Sequence, residues 1–172
     1  DSIAFGNRAL LWASRKGEII EDLGKDLPRF EILGFSMSES GYETEKVNFD
    51  FDFTDVKNFR EIAGKFRIAV ERDDLDLLGE AATESAHFNQ RFLRTRKDFR
   101  HYFGFLEAGQ HLLKAKGIVI AHTGSVAGFI LDPTPTPTQE LTEEVIRVMQ
   151  LFYNKLRRNL DIRQFVRFNS WE

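Results

Sequence analysis

Hydrophobic and polar positions change their spacing several times along the chain, and each spacing predicts a different element. Near the N-terminus, apolar residues from Ala9 to Leu23 fall on one side at helical spacing, which predicts an amphipathic helix near 7–23. Gly24 follows, where a helix commonly ends in the left-handed conformation. We therefore expect a helix before the first strand.

Apolar runs predict several strands further along. The run near 30–37 is almost continuously apolar, whereas those near 45–53 and 66–71 alternate between apolar and polar residues. Two shorter runs, near 118–121 and 127–131, are separated by turn-forming residues and predict a hairpin. Turn-forming residues also separate the runs near 30–37 and 45–53 and predict a further hairpin, so the strands are expected to pair in antiparallel fashion.

Helical spacing returns in the second half of the chain. Phenylalanine and leucine recur at steps of three, four and seven residues, which predicts a long helix near 75–115. A Pro/Thr-rich connection at 132–138 precedes another amphipathic helix near 138–158. Beyond it, Phe165 and Phe168 lie in a segment that predicts an edge strand. The summed pattern predicts one α+β domain over residues 1–172, with a small antiparallel sheet packed against long helices.

Composition narrows the class of protein. The chain has 172 residues, of which 42% are hydrophobic and 30% charged, and this excludes wholesale disorder. It has no cysteine, which excludes disulfides, thiolate metal sites and cysteine nucleophiles. No apolar run is long enough to span a bilayer, and no secretory signal is visible. We expect a soluble, cytoplasmic protein without a cofactor.

The aromatic content points to association with other proteins. There are 17 Phe but only 3 Tyr and 2 Trp, a surplus that favours apolar surface at a subunit interface. The aromatic residues of the C-terminal tail, Phe165, Phe168 and Trp171, are the candidate anchors. No complete catalytic set is visible. We therefore favour a non-catalytic assembly or partner-binding protein, with a protein partner or a second copy of the chain as the bound species.

A basic run in the predicted long helix offers an alternative. The formal net charge is −3, yet cationic residues concentrate on a short stretch of that helix. Such a ridge can contact phosphates, and a neighbouring tyrosine can stack on a base. The candidate nucleic-acid-binding residues are Arg91, Arg94, Lys97, Arg100 and Tyr102.

Part of this run resembles a known catalytic motif. Arg96-Lys-Asp-Phe-Arg-His101 has the Arg-x4-His spacing of the HEPN-type helical ribonucleases. The resemblance implies that His101 and Arg96 would serve acid–base chemistry and phosphate stabilisation in RNA cleavage. Lys97 stands where that family commonly has Asn, Asp or His. An RNA-cleaving or RNA-binding domain is therefore the alternative function.

Two Glu/His pairs suggest a more remote possibility, a metal site carried by helices. Glu84 and His87 have the spacing used in di-iron bundles, and Glu107 lies one turn before His111. On one continuous helix, Glu84 and Glu107 would be separated by about 35 Å. We therefore predict no metal site unless the chain reverses between the pairs.

Overall fold

The computed structural model describes residues 8–13, 18–36, 51–90, 99–120, 126–133, 139–155, 162 and 165–170. Antiparallel sheets of two and four strands combine with helices, so the predicted α+β class is confirmed. In chain order the elements are β1 (Arg8–Ala13), β2 (Glu18–Asp26), β3 (Glu31–Ser36), α1 (Phe53–Arg72), α2 (Leu75–Gln90), α3 (Phe99–Leu113), β4 (Gly117–Ile120), β5 (Val126–Leu131), α4 (Gln139–Lys155) and β6 (Phe165–Asn169).

The larger sheet has the strand order β4-β5-β3-β6, and all its pairings are antiparallel. β4 and β5 form the predicted hairpin, β3 confirms the strand predicted near 30–37, and α4 confirms the helix predicted near 138–158. The predicted tail strand is also present, as β6 at one edge of the sheet. The second sheet contains only β1 and β2.

The two faces of the larger sheet are covered by different helices. On one face, Phe35 is fully buried beside Phe105 of α3 and Phe129 of β5, in a core that α4 also joins. On the other face, Ile130 packs in a smaller cluster with Leu78 of α2 and partly buried residues of α1. Strand alternation explains this division, because successive side chains point to opposite faces.

The predicted helix near 7–23 is wrong. β1 and β2 form an antiparallel hairpin instead, with Trp12 opposite Ile19 and an irregular register. Gly24 does adopt a positive φ of 68°, but it lies within β2, and its N–H donates a hydrogen bond to the Asp22 carboxylate. Apolar residues spaced for a helix also occur in irregular strands, and long-range pairing decides between the two.

The predicted strand near 66–71 is also wrong, because these residues lie in the last part of α1. The helix begins at a capping box in which Asp52 and Asp55 each accept from the other's backbone N–H. It ends at Asp73, whose φ is 53°. The strand predicted near 45–53 fails at its C-terminal end, where Phe53 begins α1, and its residues up to 50 lie outside the described part.

The single helix predicted near 75–115 is two helices, α2 and α3. Phe88 of α2 and Phe103 of α3 are both buried, as their place on the apolar stripe predicted. Residues 91–98, between the helices, lie outside the described part, as do most of the connection at 132–138 and the junction between β1 and β2. The prediction of one domain over 1–172 stays a prediction.

Ser170 holds the end of β6 against the segment before β3. Its hydroxyl donates to the carbonyl of Pro28 at 3.0 Å and accepts from the N–H of Phe30 at 2.9 Å. All three residues are buried. We expect Ser170→Ala to lower the free energy of unfolding by about 1–3 kcal/mol, because two buried backbone groups lose their partner. Denaturant unfolding measures this loss, and Ser85→Ala, at an exposed serine, is the control. A negligible loss of unfolding free energy in both variants would contradict the prediction.

Candidate binding surfaces

A cavity of about 550 Å³ lies between the sheet, α1, α2 and the β1–β2 hairpin. The sheet contributes Ile32 and Ile130, and the hairpin contributes Leu10 and Leu11. The helices complete the wall mainly with aliphatic and aromatic side chains, among them Phe66 of α1. The volume falls within the range typical of small-molecule sites.

The polar content of the cavity is small. Among the described residues that line it, only Arg8 and Ser85 have polar side chains. Arg8 is already paired with Asp22 of β2, at 2.6 Å. The lining therefore offers no nucleophile and base placed together, and it favours binding over covalent chemistry.

Aromatic rings lead from the surface to the cavity. Phe59 of α1 lines the cavity and is also partly exposed, so it marks an opening. Its ring lies 5.4 Å from that of Phe51 and 4.6 Å from that of Phe88, both in edge-on geometry. Edge-to-face packing of this kind is the arrangement that aromatic pairs prefer. An exposed aromatic surface therefore borders the opening.

Polar contacts join the hairpin to α1. Arg67 donates to Glu21 from two nitrogens, at 2.9 and 2.6 Å, and Lys25 donates to the carbonyl of Glu71 at 2.9 Å. The hydrogen bond from Arg67 lowers the pKa of Glu21 below its ordinary value. Exposed pairs of this kind contribute little stability each. The hairpin forms one wall of the cavity, and these polar contacts join it to α1.

A second surface follows β6. Within the described part of the chain β6 pairs only with β3, and no described strand pairs with its outer edge. Val166 and Phe168 lie opposite Gly34 and Ile32 of β3, on the cavity side of the sheet, and their exposures are 54% and 39%. Since Ile32 lines the cavity, Phe168 extends its apolar surface to the sheet edge.

The other side of β6 is bordered by α4. Phe165 lies 6.3 Å from the ring of Phe35, and the guanidinium of Arg147 lies 5.0 Å above the Phe165 ring. Leu151 is one helical turn beyond Arg147 and is exposed, as is Val148. Exposed apolar side chains therefore lie near both sides of this sheet edge.

Of the predicted partner-binding residues, Phe165 and Phe168 thus lie together on β6, and Trp171 lies outside the described part. The predicted phosphate-binding and catalytic residues cannot be placed in a site. Arg91, Arg94, Arg96 and Lys97 lie outside the described residues. Only the backbone of Arg100, His101 and Tyr102 is described, in the first turn of α3.

The Glu/His pairs are brought together only in part. The chain does reverse between α2 and α3, so that Nε2 of His87 lies 3.6 Å from Oε1 of Glu107. Glu84, however, accepts from Lys65 at 2.5 Å, and the hydrogen bonds that Lys65 donates to Glu80 and Glu84 raise the pKa of Lys65. No group of three or more metal-ligating side chains is found among the described residues. His87 and Glu107 form an interhelical pair.

Sequence reasoning missed the cavity because its wall comes from separate elements. The apolar residues of β1 and the aromatic residues of α1 were visible as a signal, but they were assigned to a helix and to strands.

No helix in the described part of the chain is long and apolar enough to cross a membrane.

Two solved structures are distantly similar to this chain. A homoserine kinase from Cytophaga hutchinsonii aligns with a TM-score of 0.47 and 11% identity, over 92% of this chain and 46% of that chain. A protein described as a homoserine kinase from Listeria monocytogenes gives 0.45 and 13%, over 94% and 50%. This chain therefore spans about half the length of the structures it matches. No family model matches it, and no curated protein matches it significantly.

Proposed function

We propose that this chain is a non-catalytic assembly protein whose β6 edge pairs with β6 of a second copy. The observation that supports the proposal most is the combination of an unpaired edge, within the described residues, with exposed Val166 and Phe168 on it. Edge strands that must avoid pairing are commonly very short or carry charged residues, proline or a bulge, and the one charged residue of β6, Arg167, is paired with Glu31. β6 has the sequence Phe-Val-Arg-Phe-Asn and a regular register with β3.

The sequence of β6 is complementary to itself in antiparallel pairing. If the two-fold axis passes through Arg167, Val166 of one copy lies opposite Phe168 of the other, and the same pair repeats across the axis. Aromatic and β-branched residues make favourable cross-strand pairs. Both pairs would lie on the cavity side of the sheet, where these side chains are exposed in the single chain.

The positive charge of Arg167 on the proposed two-fold axis is balanced within each copy by Glu31. Arg167 would face its own copy, and like charges directly opposite each other are unfavourable. Its guanidinium is paired with Glu31 at 2.5 Å, so each copy would bring a neutralised pair to the axis. Exposed Leu151 on α4 lies on the helix face that Arg147 presents to β6 and could extend the buried area beyond the strands.

We expect wild-type protein to sediment as a dimer, and Val166→Lys or Phe168→Lys to weaken dimerisation by about tenfold or more through like-charge repulsion and lost apolar contact. Ile20→Lys, a similar change at an exposed β2 residue, is the matched control and should leave the dimer intact. Analytical ultracentrifugation over a range of concentrations measures all four proteins. A wild-type monomer at every concentration, or equal effects of the three changes, would contradict the proposal.

The basic run near the start of α3 gives the alternative outcome. To test nucleic-acid binding, single-stranded RNA is added to the sedimentation experiment at low and high salt. Wild-type protein is compared with a variant in which Arg94, Lys97 and Arg100 are changed to Glu. A salt-sensitive RNA complex lost in this variant, with no dimer in the absence of RNA, would replace the assembly proposal by nucleic-acid binding.

A further inference from the structure

We infer that the cavity between the β1–β2 hairpin, α1, α2 and the sheet is a binding site for an uncharged, largely hydrocarbon small molecule. The inference goes beyond the proposed self-association, because the cavity lies within one chain. The cavity's size, the chemistry of its walls and the pairing of Arg8, the one cation among the described lining residues, support this assignment.

The size of the cavity argues against a packing defect. Protein interiors are packed to the density of organic crystals, and voids larger than a water molecule are few. A volume of about 550 Å³ lined from four sides is far larger than such voids. Its walls come from elements separated along the chain, and Leu11 of β1 and Ala82 of α2 both line the cavity.

The walls determine which kind of molecule would be retained. A buried water needs two to four polar partners, and aliphatic and aromatic walls do not supply them. Water in this cavity is therefore poorly bonded and easily displaced by an apolar molecule. The free energy gained grows with the apolar area that the molecule and the walls remove from water.

The charges at the cavity favour a neutral occupant. Arg8 is the only charged residue among the described residues that line it, and its guanidinium is paired with the Asp22 carboxylate at 2.6 Å. Because Asp22 already balances the charge of Arg8, an anionic head group would find no unbalanced cation among the described lining residues, and an ammonium group would find no carboxylate among them. Ser85, the other polar lining residue, can donate to or accept from a hydroxyl or carbonyl group of a neutral molecule.

The test uses Nile red, an uncharged apolar dye whose fluorescence rises in apolar surroundings. We expect saturable binding of one dye per chain, displacement by decanol, and little displacement by decanoate or decylammonium at equal concentration. Non-saturable dye binding would overturn the site. Equal displacement by decanoate or decylammonium would overturn the assignment of a neutral ligand.

Cavity-filling variants show whether the dye binds in the cavity. Ser85→Phe, at an exposed residue of the rim, and Ala82→Phe, deeper on the same helix, should each weaken dye binding by about tenfold, because the added ring occupies the ligand's volume. Val56→Phe adds a ring to exposed α1 surface that does not line the cavity, and should bind the dye like wild type. Circular dichroism confirms folding; unchanged affinity in folded Ser85→Phe would overturn the inference. The dimer-disrupting change Val166→Lys should leave dye binding unchanged. The binding-site inference and the dimer proposal can therefore be contradicted independently of each other.

Discussion

Phe35→Ala is expected to lower the free energy of unfolding by about 3–5 kcal/mol, the range for removing a buried phenylalanine. Phe35 is fully buried on the central strand β3, and its ring packs against those of Phe105, Phe129 and Phe165. Truncation would leave a cavity bordered by α3, β5 and β6, which cannot all move inward without breaking sheet pairing. The main core would lose the contact that joins these elements.

Thermal and urea unfolding measure this loss, which corresponds to roughly 6–20 °C in Tm for a chain of this size. Phe53→Ala is the matched control, because Phe53 is 85% exposed at the start of α1. Its replacement should change stability by no more than about 0.5 kcal/mol. Similar losses for the two variants would show that the face of the sheet toward α3 and α4 is not the main core.

Gly79→Ala should be the second large effect, at about 2–4 kcal/mol destabilising. Gly79 of α2 lies directly against Gly117 of β4, and a Cβ on Gly79 would overlap the backbone carbonyl of Lys116. Backbone atoms cannot rotate away as a side chain can, so α2 would have to move off the sheet. Thr83, one turn later, would then lose the hydrogen bond that it accepts from the N–H of Ile118 at 3.0 Å.

Gly64→Ala is the internal control for this prediction. Gly64 lies in the interior of α1, and nothing lies within 4 Å of the place where its Cβ would stand. Because alanine is the better helix former, this change should stabilise the protein by about 0.5–1 kcal/mol. Opposite signs at the two glycines are the expected result. Stabilisation at both would mean that α2 does not approach β4 closely.

The close approach of α2 to β4 also explains where the binding surfaces lie. The glycine contact holds α2 over the β4 side of the sheet, where Leu78 packs against Ile130. The same face remains open toward β6, where Phe168 and Val166 are exposed. The cavity occupies the space between, with Ile32 in its wall. Small residues at one helix–sheet contact thus leave apolar surface uncovered at the other side.

The elements predicted correctly are those bounded by clear turn chemistry. β3, β4, β5, α4 and the edge strand β6 each follow or precede glycine, proline or polar clusters. The error in α1 has a physical reason, because Phe66, Ile68 and Val70 alternate like a strand over six residues. Over the whole helix, Phe59, Ile62 and Phe66 follow the spacing of three and four, and the longer pattern is decisive.

Other errors depend on contacts between distant parts of the chain. The pairing of Trp12 with Ile19 makes a hairpin from residues whose spacing also fits a helix. The reversal that brings His87 to Glu107 is invisible to a pattern that continues across both helices. Phe165 and Phe168 were identified from composition and position alone, but their relation to the cavity required the register between β6 and β3.

Hydrogen exchange at β6 tests the proposed assembly most directly. The amides of β6 that point away from β3 should exchange slowly in concentrated protein and rapidly in dilute protein, because only pairing with a second copy protects them. In Val166→Lys they should exchange rapidly at both concentrations, while the amides of β3 and β5 keep their protection. Equal exchange of the outward β6 amides in dilute and concentrated wild-type protein would contradict the account.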